Sequence, residues 1–172
     1  DADLNAETVK LNSIQGQLDE VNADLVLFKD VDRLLNDSED VLSNSREITP
    51  SRIDNVTYSY TRTGGIVVTY SDTQFSLKSL DRTAMSDLTD TQLLILYTGL
   101  SDSKTEKTSL EQTKTTLIGQ RDTSQNLVTT YQQEKADIVA WETERDLLEN
   151  QTPTAILIEG EYLVQEIGRA HV

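Results

Sequence analysis

The chain has 172 residues, a formal net charge of −15, one His, no Cys, two Pro and one Trp, with 36% apolar and 26% charged residues. Without Cys there is no disulfide staple, thiolate nucleophile or Cys-based zinc site. No run approaches the roughly 18 consecutive apolar residues of a membrane helix, and the acidity argues against binding nucleic acid or an anionic membrane surface.

The N-terminus, Asp1-Ala2-Asp3, shows no signal-peptide pattern, and the missing initiator Met points to a chain that is processed or cut from a longer one. Residues 2 to about 43 carry a heptad pattern. Leu4, Leu11, Leu18 and Leu25 form one set; Ile14, Val21, Phe28 and Leu35 form a second, three residues later. This is the a/d seam of a coiled coil, interrupted at Glu7 and Asp32. After Leu27 the apolar set slips to Val31, Leu34 and Val41, where the supercoil relaxes. Pro50 lies beyond the end. A coiled-coil helix is expected over residues 1–46.

Residues 47–100 read as a β-meander head. Val56, Tyr58 and Tyr60 alternate with polar residues, and Gly64-Gly65 supplies the positive φ angles of a tight hairpin. Ile66, Val68 and Tyr70 form a second strand, Ser71-Asp72 turns again, and Phe75 and Leu77 mark a third. One apolar face results. Its expected cover is a short helix from about Asp90 to Leu100, opened by a Thr89/Gln92 capping box.

A second capping box, Ser103/Glu106, predicts a new coiled-coil helix over 101–150. Leu110, Leu117, Tyr131 and Ile138 share one seam position with Ser124 and Arg145. Leu127, Trp141 and Leu148 share the other with Thr113, Gln120 and Glu134. About half of this seam is polar. After Pro153, Ala155–Ile158 and Tyr162–Val164 predict a truncated strand region over 151–166. The ending Glu166-Ile167-Gly168-Arg169-Ala170-His171-Val172 back-translates as GAG ATC GGA AGA GCA CAC GTC. From its second base this string looks like the common short-read sequencing adapter. Residues 167–172 are therefore read as translated adapter, with the natural chain continuing past about Gln165 and His171 spurious.

The expected fold class is mainly α with a small antiparallel β head: two long coiled-coil helices flanking a three-stranded meander plus a short helix. The seams are buried either by an antiparallel hairpin within one chain or by several chains in register. The equal helix lengths favour the hairpin.

The sequence assigns no catalytic, cofactor-binding or metal-ligating residue, since no phosphate-binding glycine loop, nucleophile elbow or paired-His motif occurs. Asp30, Asp32, Asp37, Glu39 and Asp40 cluster as hard-cation ligands do, but without the EF-hand spacing they read as a solvated helix face. Glu142 and Glu144, two apart on a helix, point different ways and form no acid/base pair. Sequons at Asn36, Asn55 and Asn150 occur at about the chance level. Trp141 falls on the seam and reads as core. Tyr58, Tyr60 and Tyr70 are candidates for a binding face, although strand propensity accounts for them equally well.

The expected function is a non-enzymatic structural or assembly coiled-coil protein acting through protein partners or self-association. Its composition, rich in Thr, Ser, Asn and Gln, is similar to that of phage virion and tail-associated proteins. Two helices of equal length joined through β hairpins also resemble the prefoldin arrangement over residues 2–150, which implies a holdase chaperone. A third possibility is a fragment of a larger protein whose active part is missing.

Overall fold

The structure is a computed structural model that describes the backbone of residues 1–159 and the side chains of residues 1–150. It is mainly helical, with one three-stranded antiparallel sheet. The chain divides into two compact units, Asn12–Asp122 and Asp1–Leu11 with Thr123 onward.

In the unit Asn12–Asp122, helix α1 (Ala2–Leu27) stops where the apolar set slips. The N–H groups of Phe28 and Lys29 donate to the carbonyls of Leu25 and Val26, three residues back, which closes the helix with a tight turn. Helix α2 (Val31–Asp40) then restarts with Val31, Leu34, Leu35 and Ser38 buried. The Ser38 hydroxyl donates to the Leu35 carbonyl at 2.8 Å. A π-helical turn, Val41–Ser45, follows, and the Arg46 N–H bonds back to the Val41 carbonyl. The consecutive Val41 and Leu42 at its start are both buried.

The sheet is β1 (Thr57–Thr61), β2 (Gly65–Tyr70) and β3 (Thr73–Ser76), paired in chain order. Tyr58 faces Val68 and Tyr60 faces Ile66; Val68 in turn faces Phe75. Side chains alternate along a strand, so these share the inner face. The first hairpin differs from the expected glycine-pair turn. Its loop is Arg62–Gly64, and only Gly65 has positive φ, at 69°. Gly64 is needed for another reason: a Cβ there would lie 2.7 Å from Thr61 Oγ1, which accepts the Gly64 N–H. Leu77 falls just outside the sheet, in a 3-10 turn (Leu77–Ser79). A short helix that the sequence did not announce, α3 (Arg82–Ser86), follows. Asp81 caps it by accepting the Ala84 N–H at 2.7 Å, and it buries Met85.

Helix α4 (Asp90–Glu159) opens with a reciprocal capping box. The Thr89 N–H donates to Gln92 Oε1 at 3.0 Å, and the Gln92 N–H donates to Thr89 Oγ1 at 3.2 Å. Leu93, Leu96 and Leu100 join Leu34, Leu35, Val41, Leu42 and Met85 in the main core. Gly99 lets the helix approach β2, since a Cβ there would sit 2.3 Å from Val68 Cγ1. The expected break between a short helix ending at Leu100 and a new one near Ser103 is absent. The buried Ser103 hydroxyl instead donates to the Gly99 carbonyl at 2.8 Å, one turn back inside a continuous helix. Residues 151–159, expected as strand, are helical. Residues 160–166 of that region and the adapter-like residues 167–172 lie outside the described residues.

Two further clusters join the helices of this unit. Ile14 and Leu18 of α1 bury against Leu117, flanked by Val21 and Ile118. Phe28, Val31 and Ile66 form the second, with Tyr60, Leu77 and Leu110 against them. On α4 the second expected seam set is displaced by one residue. Thr113 and Gln120 are exposed, whereas Lys107, Lys114 and Arg121 are half-buried.

In the other unit, Leu4, Glu7 and Leu11 are half-buried, Ser124 and Val128 are buried, and Tyr131 is half-buried. Glu7 Oε1 and Ser124 Oγ are buried without a hydrogen-bond partner among the described residues. From Gln132 to Asn150 every side chain is exposed. Among the described residues no helix is long and apolar enough to cross a membrane.

Candidate functional site

Of the three candidate tyrosines, Tyr58 and Tyr60 lie together on β1 and line one groove, whereas Tyr70 lies at the far end of β2. Tyr60 sits edge-on to Phe28, with ring centroids 5.0 Å apart, and its hydroxyl donates to Glu106 Oε1 at 3.1 Å. Burial, then the Glu106 hydrogen bond and charge, push the Tyr60 phenol up to about 12. Burial and the same glutamate raise Tyr58. Both rings thus serve the packing of the sheet. Tyr70, paired with Thr73 at the other end of β2, is half-buried. A shallow groove of about 520 Å³ runs along β1, lined by Val56, Thr57, Tyr58, Ser59, Tyr60 and Asp102. At its wall Arg52 pairs with Asp102 at 2.6 Å, and that bond raises the guanidinium pKa further. The Ile53 N–H donates to Thr98 Oγ1 at 2.9 Å, fixing the segment that leads into the strand.

The acidic cluster is a set of tie points between elements, not only a solvated face. Asp32 pairs with Lys107 at 3.0 Å and with Lys104 at 3.5 Å. The Lys107 hydrogen bond, with help from the charge of both lysines, holds its carboxyl below the ordinary carboxylate value. The Lys104 contact to Oδ1 is an ion pair only, since that oxygen accepts no hydrogen bond. Asp37 lies 3.8 Å from both Arg33 and Arg82. Asp40 binds Arg82 and Asn44, which lower its pKa. Asp30 pairs with Arg33 at 3.5 Å. Asp30 and Asp37 share Arg33, Asp37 and Asp40 share Arg82, and Asp32 takes the two lysines; among the described residues no three His, Cys, Asp or Glu side chains are grouped as metal ligands are.

Arg46 was not singled out by its sequence. It bonds Asp90 Oδ1 and the Ser86 carbonyl, each at 3.0 Å, and so joins the end of α3 to the start of α4. No pattern in the local sequence marks it, because its partners lie about forty residues away.

Trp141 overturns the core reading: it is 60% exposed. Its ring lies 5.1 Å from the Arg145 guanidinium carbon. Ile138, Val139 and Leu147 on the same stretch are also more than half exposed. The position expected to be seam is therefore open to solvent among the described residues. Glu142 and Glu144 are exposed on this stretch, and Asn36, Asn55 and Asn150 are exposed too.

Among the described residues, α4 thus exposes Ile138, Val139, Trp141 and Leu147, and a shallow groove runs along β1. The chain matches no protein-family model, no curated protein and no solved structure.

Proposed function

We propose that this chain is a non-enzymatic structural or assembly protein built on an antiparallel helical hairpin with a β head, of the kind found in virions and tails, and that it works through protein contacts. The supporting observation is the order of contacts in the unit Asn12–Asp122. Ile14 and Leu18 cluster with Leu117, Leu110 packs against the cluster of Phe28, Val31 and Ile66, and Asp32 meets Lys107 and Lys104. As residue numbers rise on one side they fall on the other, which is the order of an antiparallel pair. These contacts lie within one chain, so they favour the hairpin over chains aligned in register. Sedimentation over a concentration series tests the reading. A single defined species that leaves the aggregation of an unrelated denatured protein unchanged is expected.

The exposed Ile138, Val139, Trp141 and Leu147 favour a second reading, a prefoldin-like holdase. Suppression of that aggregation at stoichiometric protein, lost on substituting these residues, would replace the assembly reading with it.

A further inference from the structure

We infer that residues 134–150 of α4 are a docking surface for a basic amphipathic helix of a partner protein. This rests on the assembly reading and names the partner's chemistry. Every side chain over 132–150 is exposed, and Ile138, Val139, Trp141 and Leu147 are 54 to 60% exposed. Of these, Ile138 and Trp141 share one face of the helix, whereas Val139 and Leu147 turn away from it, so the face in question rests on Ile138 and Trp141. Ile138 and Trp141 stand three apart, as adjacent seam positions of a helix pair do. Tryptophan is also the residue type most enriched at binding hot spots.

Charge selects the occupant. Residues 134–150 carry six acidic and two basic side chains. Asp137, Glu142, Glu144 and Glu149, with Lys135 as the one cation among them, fall at the positions flanking the Ile138–Trp141 seam, where partner-choosing charges of a coiled coil lie. One of the two cations, Arg145, is already engaged by the Trp141 ring and by Asp146 and Glu149. A second copy would bring the same acidic flanks against these, like charge on like. A helix with an apolar stripe against Ile138 and Trp141 and Lys or Arg beside it matches that face and its acidic flanks. The stretch spans about 25 Å at about 1.5 Å per residue, long enough for more than two heptads of partner.

Trp141 is the sole tryptophan of the chain, so its emission reports on this surface alone. The test titrates the full chain with a synthetic helical peptide of about three heptads, Leu at the seam and Lys on both flanks. A parallel titration uses the same peptide with Glu on the flanks. Expected are a blue shift that saturates with the Lys peptide and none with the Glu peptide. Ile138→Asp, at an exposed position, should weaken binding about ten-fold or more while leaving the thermal midpoint in place. Glu142→Lys combined with Glu144→Lys should reverse the preference between the peptides. Three results would overturn the inference. One is no shift with the Lys peptide, or equal shifts with both. Another is a blue shift that grows with protein concentration alone, which assigns the surface to a second copy. The third is a free protein whose emission is already blue and moves to the red when residues 160–172 are removed. If the assembly reading itself is wrong and the chain is a holdase, unfolded polypeptides of either charge will shift the emission, an outcome distinct from each of these.

Discussion

At Gly99 one missing methyl group decides how close α4 comes to the sheet. In a helix interior glycine costs about 1 kcal/mol relative to alanine, so propensity alone favours Gly99→Ala. The geometry opposes it, because the new Cβ would sit 2.3 Å from one Val68 methyl and 2.4 Å from the other. Val68 is fully buried and cannot swing away without displacing its neighbours. Overpacking of this kind costs about 1–3 kcal/mol. Gly99→Ala should therefore lower stability in denaturant melts, and adding Val68→Ala should recover part of the loss. A more stable Gly99→Ala protein would show that the helix can shift at no cost. Tyr60 gives a second test at this scale. Its phenol is raised to about 12, chiefly by burial. The neutral form is the one the fold prefers, so the stabilisation is complete below the ordinary tyrosine value near 10 and is lost as pH climbs from there towards about 12. Tyr60→Phe removes the titrating group and the bond to Glu106, at a cost of about 0.5–1.5 kcal/mol at neutral pH. The stability gap between wild type and Tyr60→Phe should close over that alkaline window. A gap that stays constant would mean the phenol titrates alike in folded and unfolded chains.

Between elements, what matters is which rows of α1 and α4 face one another. Leu18 is 2% exposed against Leu117, whereas Leu127 is 37% exposed. Leu18→Ala should cost about 2–5 kcal/mol by opening a cavity, and Leu127→Ala should stay within about 0.5 kcal/mol, as at ordinary surface positions. Similar losses at the two sites in chemical denaturation would mean that Leu127 is buried as deeply as Leu18. The row on α1 was legible in the sequence because leucine and isoleucine fill it at strict spacing; the slip after Leu27 was legible too, but it reads as a relaxed supercoil within one helix over 1–46, whereas α1 ends at Leu27 and α2 starts at Val31. The meander was legible too, through the alternation of Tyr58, Tyr60, Ile66 and Val68. The second row on α4 was not, because Lys107, Lys114 and Arg121 occupy it. Such side chains cover apolar surface with their stems while the charge reaches water or a partner, as Lys107 does with Asp32. A reading that rejects charged residues from a seam moves to the neighbouring Thr113, Gln120 and Leu127. Ser103 misled for a related reason. With Glu106 it has the spacing of a helix start, yet the same hydroxyl satisfies itself on a carbonyl one turn back. Local pattern cannot separate the two when the helix has already begun at Asp90. The apolar stretch at Ile138 and Trp141 was visible as a pattern, but its exposure depends on whether another helix covers it, and that is a tertiary fact.

For the whole molecule the governing quantity is the formal charge of −15. Net charge of one sign opposes compaction through self-repulsion. Against it stand ion pairs between elements: Asp32 with Lys107, Asp24 with Arg62 at 2.9 Å, Asp90 with Arg46 at 3.0 Å, and Asp102 with Arg52. Each has at least one substantially exposed partner, and exposed pairs contribute only about 0–1 kcal/mol apiece. Salt acts unequally on the two effects. The Debye length falls from about 30 Å near 0.01 M to about 8 Å near 0.15 M. Pairs in contact at about 3 Å lie inside either length and keep much of their attraction, whereas repulsion between carboxylates tens of ångströms apart is largely removed. The thermal midpoint should therefore rise with NaCl over that range. A midpoint that falls instead would mean that the contacts of Lys104, Lys107, Arg46 and Arg62 outweigh the net charge. Asp32→Asn would then be expected to flatten the salt dependence, because it removes the carboxylate that Lys104 and Lys107 share.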